Sequence, residues 1–155
     1  MNFRIAGLTP ITFSHLFGLS AHELARHNVI RYTADAENAF PCRITLKDAT
    51  IGDSVLLVNY EHQPAKNAYQ SRHAIYVNEA ATSACEYINE IPAQMQRRLL
   101  SIRAFDATDA IVDADVIDGS DAVTLIQRLL SAQQTAYLHV HFARRGCFAA
   151  RVDRV

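Results

Sequence analysis

The stretch Tyr137–Asp153, YLHVHFARRGCFAARVD, gathers two histidines, a cysteine and three arginines within seventeen residues. Imidazoles two positions apart on a strand project from one face, so His139 and His141 form half of a metal site, although spacing identifies no third or fourth ligand. A thiol near an imidazole and guanidinium groups is the setting of a reactive cysteine. That makes Cys147 a candidate nucleophile and His141 its candidate base. Arg144, Arg145 and Arg151 would hold a carboxylate or phosphate by forked hydrogen bonds. The plainer reading is a partly solvated sheet face on which Arg151 pairs with Asp153 or with a carboxylate on another strand.

Alternation sets the register of this stretch. Leu138, Val140 and Phe142 share one face of the first strand, and Tyr137, His139 and His141 the other. A three-residue loop, Arg144-Arg145-Gly146, with Gly146 at positive φ, pairs Ala143 with Cys147. Counting outward sets Phe142 opposite Phe148, Val140 opposite Ala150 and Leu138 opposite Val152. His139, His141, Cys147 and Arg151 then lie on one polar face, turned away from the apolar interior. A two-residue loop would set Val140 against Arg151 and mix the faces.

Further chemistry lies upstream. Ser54–Tyr60, SVLLVNY, is the most apolar strand pattern and runs directly into Glu61-His62-Gln63-Pro64. Polar groups at the end of a buried strand are aimed by a rigid element, so Glu61 is a candidate ligand-binding residue and His62 a candidate proton-transfer group. His73 opens the next strand and meets them if the two strands form a hairpin. Arg43, in Phe40-Pro41-Cys42-Arg43, is a cation with no local partner and joins the anion-binding set. Cys42 reads as a small buried residue.

The elements that must position these groups follow from pattern. Ser20 and Glu23 stand in capping-box relation ahead of a short helix over Ala21 to His27. Pro92 opens a second helix over AQMQRRLL. Asp121 to Gln133 carries an apolar stripe, Ala122, Val123, Leu125, Ile126, Leu129 and Leu130, and is the clearest helix. Ser101–Asp106 and Ala110–Ile117 read as a hairpin about Thr108-Asp109. The second of these, with the helix and the histidine strand, makes a βαβ unit with parallel strands. Parallel strands carry Asp115 and Asp118 to the rim that holds His141, Arg144 and Arg145. Six aspartates between Asp106 and Asp121 are a solvated edge or partners for arginines rather than a metal site.

At 155 residues, half of them hydrophobic, the chain suits one domain, residues 1–155, with a real core. The formal net charge of −1 excludes a general affinity for nucleic acid or acidic membranes. Three widely spaced cysteines, no signal-peptide pattern and no membrane-length apolar run lead to the expectation of a cytoplasmic protein with reduced thiols. No cofactor is implied.

FPCR at Phe40–Arg43, NYEHQP at Asn59–Pro64, SRHAIYV at Ser71–Val77, RAFD at Arg103–Asp106, VDADV at Val112–Val116 and ARRGCFAARVD at Ala143–Asp153 resemble a family of bacterial proteins of similar length, catalogued as a domain of unknown function. The resemblance implies a single cytoplasmic domain and brings no activity, substrate or catalytic residue.

These observations lead to an α+β fold with a mixed, largely antiparallel sheet and two or three helices, including the C-terminal βαβ unit. The expected function is binding of a small anionic molecule, and action on it, in a crevice of histidine, arginine and cysteine side chains. Arg43, Glu61, His73, His139, Arg144, Arg145 and Arg151 would bind, with Cys147, His141 and His62 catalytic. Two rivals stand beside it: a non-catalytic module that forms a homodimer along an exposed strand, and a metal protein using the His-x-His pair.

Overall fold

The computed structural model describes residues 1–155. The strands are β1 (Phe3–Ala6), β2 (Ile30–Thr33), β3 (Ser54–Gln63), β4 (Ser71–Asn78), β5 (Glu86–Ile88), β6 (Leu99–Phe105), β7 (Ile111–Asp118), β8 (Tyr137–Phe142) and β9 (Phe148–Arg154). The helices are α1 (Ala21–Arg26), α2 (Ala93–Gln96) and α3 (Ala122–Ser131). The fold is α+β. β5-β1-β9-β8-β6-β7 form a six-stranded sheet and β2-β3-β4 a three-stranded one, and every paired strand is antiparallel to its neighbour. No helix is long and apolar enough to cross a membrane.

Apolar stripes decide what covers each face. Helix α3 buries Leu125, Ile126, Leu129 and Leu130 against one face of the large sheet, where Leu100, Ile102, Leu138, Val140 and Val152 complete the larger core. Each such side chain stabilises the fold by roughly 1.5–3 kcal/mol on burial. The other face receives the small sheet. There Leu56, Val58, Ile75 and Val77 meet Phe148, with Phe13, Leu16 and Leu24 from the N-terminal segment closing the layer. Ser20 caps α1 through the full capping box that its sequence announced.

β7 and β8 are both antiparallel to β6, which lies between them, so they run in the same direction with α3 joining them. The βαβ unit is therefore present in split form. The second helix stops early. α2 ends at Gln96, and Leu99-Leu100 pass into β6, because Leu100 finds its partner in Phe142 across the sheet.

The β8–β9 hairpin departs from the expected register. Phe142 N–H donates to the Cys147 carbonyl at 2.9 Å and Gly146 N–H to the Phe142 carbonyl at 2.8 Å, so the loop holds four residues, Ala143 to Gly146. Gly146 has φ 77°, as the turn requires. His141 consequently faces Phe148, while Val140 still faces Ala150, His139 faces Arg151 and Leu138 faces Val152. The mismatch is absorbed by a bulge at Ala149, which is fully buried. The shift moves Phe148 to the histidine face and Cys147 to the opposite one, with the larger core. The expected single face for both imidazoles and the thiol is thus corrected. So is its exposure, since all six residues of β8 are buried.

Candidate functional site

All the candidate site residues but Glu61 and His141 line one of two cavities. The larger, about 650 Å³, is lined by Arg43, His73, Arg144, Arg145 and Cys147 from the candidate set, together with Arg97, Arg98, Asp118 and Gly119. The smaller, about 250 Å³, is lined by His62, His139 and Arg151, with Tyr137, Gln63 and Phe148 beside them. Glu61 lines neither. It is bound by Arg72 across the β3–β4 hairpin at 3.2 Å.

The split βαβ unit supplies one rim of the larger cavity. The C-terminal ends of β7 and β8 lie at one rim, which brings Asp118 and Gly119 to Phe142, Arg144 and Arg145, as parallel strands demand. Asp115 is instead engaged with Arg128 of α3, at 3.5 Å, and Asp113 joins it at 2.8 Å. Five arginines line the cavity against one aspartate. Arg97 and Arg98 share the buried Asp48 carboxylate. Arg43 has no carboxylate. Its guanidinium, 1 % exposed, donates to the Phe148 carbonyl at 2.7 Å, to the Pro41 carbonyl, and to Cys147 Sγ at 3.1 Å. Burial pushes its pKa down from the usual arginine value, partly opposed by the neighbouring sulfur atoms of Cys147 and Cys42. The Phe142 ring lies under both the Arg43 and Arg98 guanidinium groups, 4.9 Å and 5.0 Å from its centroid. Arg144 and Arg145 are exposed at the turn and make no ion pair. Cys147, expected to pair with His141, touches Arg43 instead, because the register shift placed thiol and imidazole on opposite faces.

The second cavity adjoins a histidine cluster. β3 bulges between Glu61 and Gln63, and the bulged residue is His62, which leans into the layer between the sheets. It stacks on Phe148 at 5.3 Å between centroids and meets His141 at 5.0 Å and His139 at 5.9 Å. One ring nitrogen from each of His62, His139 and His141 lies within 4.8 Å of the others. His139 is 3 % exposed and His141 1 %. His141 Nδ1 lies 2.9 Å from the Gly146 carbonyl. A carbonyl only accepts, so Nδ1 carries the proton and Nε2 holds the lone pair. That Nε2 has no hydrogen-bond partner, nor have Nδ1 of His62 and Nδ1 of His139, though all three are buried. Burial holds His62 down to about 4, with Arg103 and His73 adding to it. Burial likewise holds His139 and His141 at about 3, with the neighbouring histidines and Arg103 contributing. All three rings are neutral at pH 7.

Around the smaller cavity, Tyr137 Oη donates to Asp109 at 2.6 Å and accepts from Gln63 Nε2 at 2.9 Å. Arg151 lies over the Tyr137 ring at 3.8 Å and pairs with Asp153 at 2.9 Å. Arg103 faces His139 across β6–β8 and is half-buried without a carboxylate. Sequence reasoning missed Arg97, Arg98 and Arg103. The first two were hidden in a helical pattern, and the third becomes visible only once β6 is known to lie beside β8.

Residues 39–154 match the family model described as a protein of unknown function, DUF1203. The chain belongs to that family. No curated protein and no solved structure matches it.

Proposed function

We propose that this DUF1203 protein binds a small anionic molecule, carrying a carboxylate or phosphate group, in the larger cavity. The observation that supports this reading is the Arg43 guanidinium, buried without a counter-ion in the wall of a cavity that also holds Arg144 and Arg145. A buried charge left unpaired is costly, and an anion in the cavity offsets that cost. Arg144 and Arg145, free of other partners, supply the forked hydrogen bonds. Cys147, in the same wall, is the nucleophile within reach of the ligand, with Arg43 rather than His141 at its side.

Inorganic phosphate and succinate are suitable probes, with sodium chloride at matched ionic strength as control. At one hundred times the dissociation constant, a bound anion stabilises the fold by about 2.7 kcal/mol, a rise in Tm of roughly 5–10 °C for a chain of this size. It also slows iodoacetamide alkylation of Cys147. The double variant Arg144→Ser/Arg145→Ser is expected to keep its ligand-free Tm and lose both responses. Equal stabilisation of wild type and double variant, or none of either beyond chloride, refutes the reading.

A further inference from the structure

We propose that His62, His139 and His141 form a site for a divalent first-row transition-metal ion, zinc foremost, with the remaining coordination position facing the smaller cavity. The inference is independent of anion binding in the larger cavity.

Three features of the cluster carry it. The first is convergence from separate elements. β8 presents His139 and His141 on one face, and the β3 bulge turns His62 across the gap between the sheets to meet them. The second is the set of orphaned atoms. Each ring leaves one buried nitrogen without a partner, and an unsatisfied buried polar atom costs about 1–3 kcal/mol. An ion bound through those nitrogens would remove that cost. The third is the Gly146 carbonyl, which fixes the tautomer of His141 and directs the Nε2 lone pair inward. A backbone carbonyl on the far nitrogen of a ligating histidine is the usual outer support of such sites.

The chemistry of the ligands selects the ion. Neutral imidazole suits zinc and its first-row neighbours, while calcium and magnesium require oxygen ligands that this cluster lacks. Zinc–nitrogen bonds of about 2.0–2.1 Å place tetrahedral ligand atoms roughly 3.4 Å apart, so loading draws the three nitrogens, now within 4.8 Å, closer together. Three protein ligands leave a position open, as in catalytic rather than structural zinc sites. His62 and His139 line the smaller cavity, which gives that position access. The ligands carry no negative charge, and Arg103 and Arg151 stand near His139. The excess positive charge directs an anionic fourth ligand, hydroxide or a carboxylate, to the open position.

The test uses the full chain without a histidine tag, purified without chelator, stripped, and titrated with Zn2+ and Co2+. The expected result is one equivalent bound, a rise in Tm on loading, and Co2+ ligand-field bands without a sulfur charge-transfer band. His62→Ala, at the bulged strand end, is expected to remain folded by circular dichroism and to bind at least one hundredfold more weakly. His15→Ala/His27→Ala, which removes the surface pair 6.1 Å apart, is expected to bind like wild type. Substoichiometric binding by folded wild type, binding unchanged in His62→Ala, or a cobalt–sulfur band would each overturn the proposal. The first of these would leave the three rings as a polar cluster satisfied by water.

Discussion

A charge shielded from water is held by every bond it makes, and buried Arg43 and half-buried Glu79 show it in opposite ways. Arg43 spends its donors on two backbone carbonyls and a sulfur atom. Arg43→Met strands those acceptors in the interior and is expected to lower stability by about 3 kcal/mol in urea unfolding. Arg43→Lys, with a point charge in place of a fork, recovers less than half of that loss. Glu79 is the anionic counterpart. It accepts from Arg31 at 2.7 Å and 2.8 Å, from Gly18 N–H at 3.0 Å and from the Ser54 hydroxyl, which ties the N-terminal segment to the small sheet. The Arg31 hydrogen bonds lead the effects that hold its carboxyl at about 2. A carboxyl depressed in the fold gives stability that is complete above its unfolded value of about 4.5 and lost as pH falls towards 2. Glu79→Gln should therefore destabilise the protein by about 1.5–3 kcal/mol at pH 7. It should also flatten the decline in urea midpoint between pH 4.5 and 2. An unchanged slope would show that other carboxylates govern acid unfolding.

Bulges and close backbone approaches, rather than regular segments, aim the site groups. His62 points inward because β3 carries an extra residue there, and Cys147 points away from His141 because the β8–β9 loop holds four residues. Gly119, after β7, donates to the Arg98 carbonyl at 2.9 Å and borders the larger cavity. A β-carbon there would fall inside the contact distance of the Met95 carbonyl oxygen, which is backbone and cannot yield cheaply. Gly119→Ala is expected to cost about 1–3 kcal/mol and to weaken anion-induced stabilisation, both read from thermal unfolding with and without phosphate. Most of these elements were legible beforehand. The α3 stripe, the Ser20 capping box and the β6–β7 hairpin were readable from local pattern, whereas the β3–β4 hairpin stood only as a condition on His73 meeting His62. Arg43 is different. Its neighbours Ile44 to Leu46 form a turn, with Leu46 at φ 54°, and no local rule predicts a buried leucine in that conformation.

At the scale of the whole molecule, the large sheet stands between two apolar layers. Leu129 belongs to the layer under α3 and Ile75 to the layer under the small sheet. Residues from both layers hang on β8 and β9, so the layers should melt together. Leu129→Ala and Ile75→Ala are each expected to cost about 2–5 kcal/mol, and each should shift one common transition seen alike by near-ultraviolet and far-ultraviolet circular dichroism. Two separated transitions would show that the small sheet folds as a domain of its own.

The amino-acid sequence alone determined the fold class and the main helix, because periodicity and capping are short-range rules; His139 faces Arg151 as expected only because the bulge at Ala149 offsets the longer loop. Only the tertiary structure decided which of those residues meet. Strand β8 alternates as a half-exposed strand would, yet the small sheet covers its polar face and buries both histidines. Alternation reports which side chains share a face. It carries no information on what packs against that face, and His62, some eighty residues upstream, arrives there through a contact between sheets that no local pattern encodes.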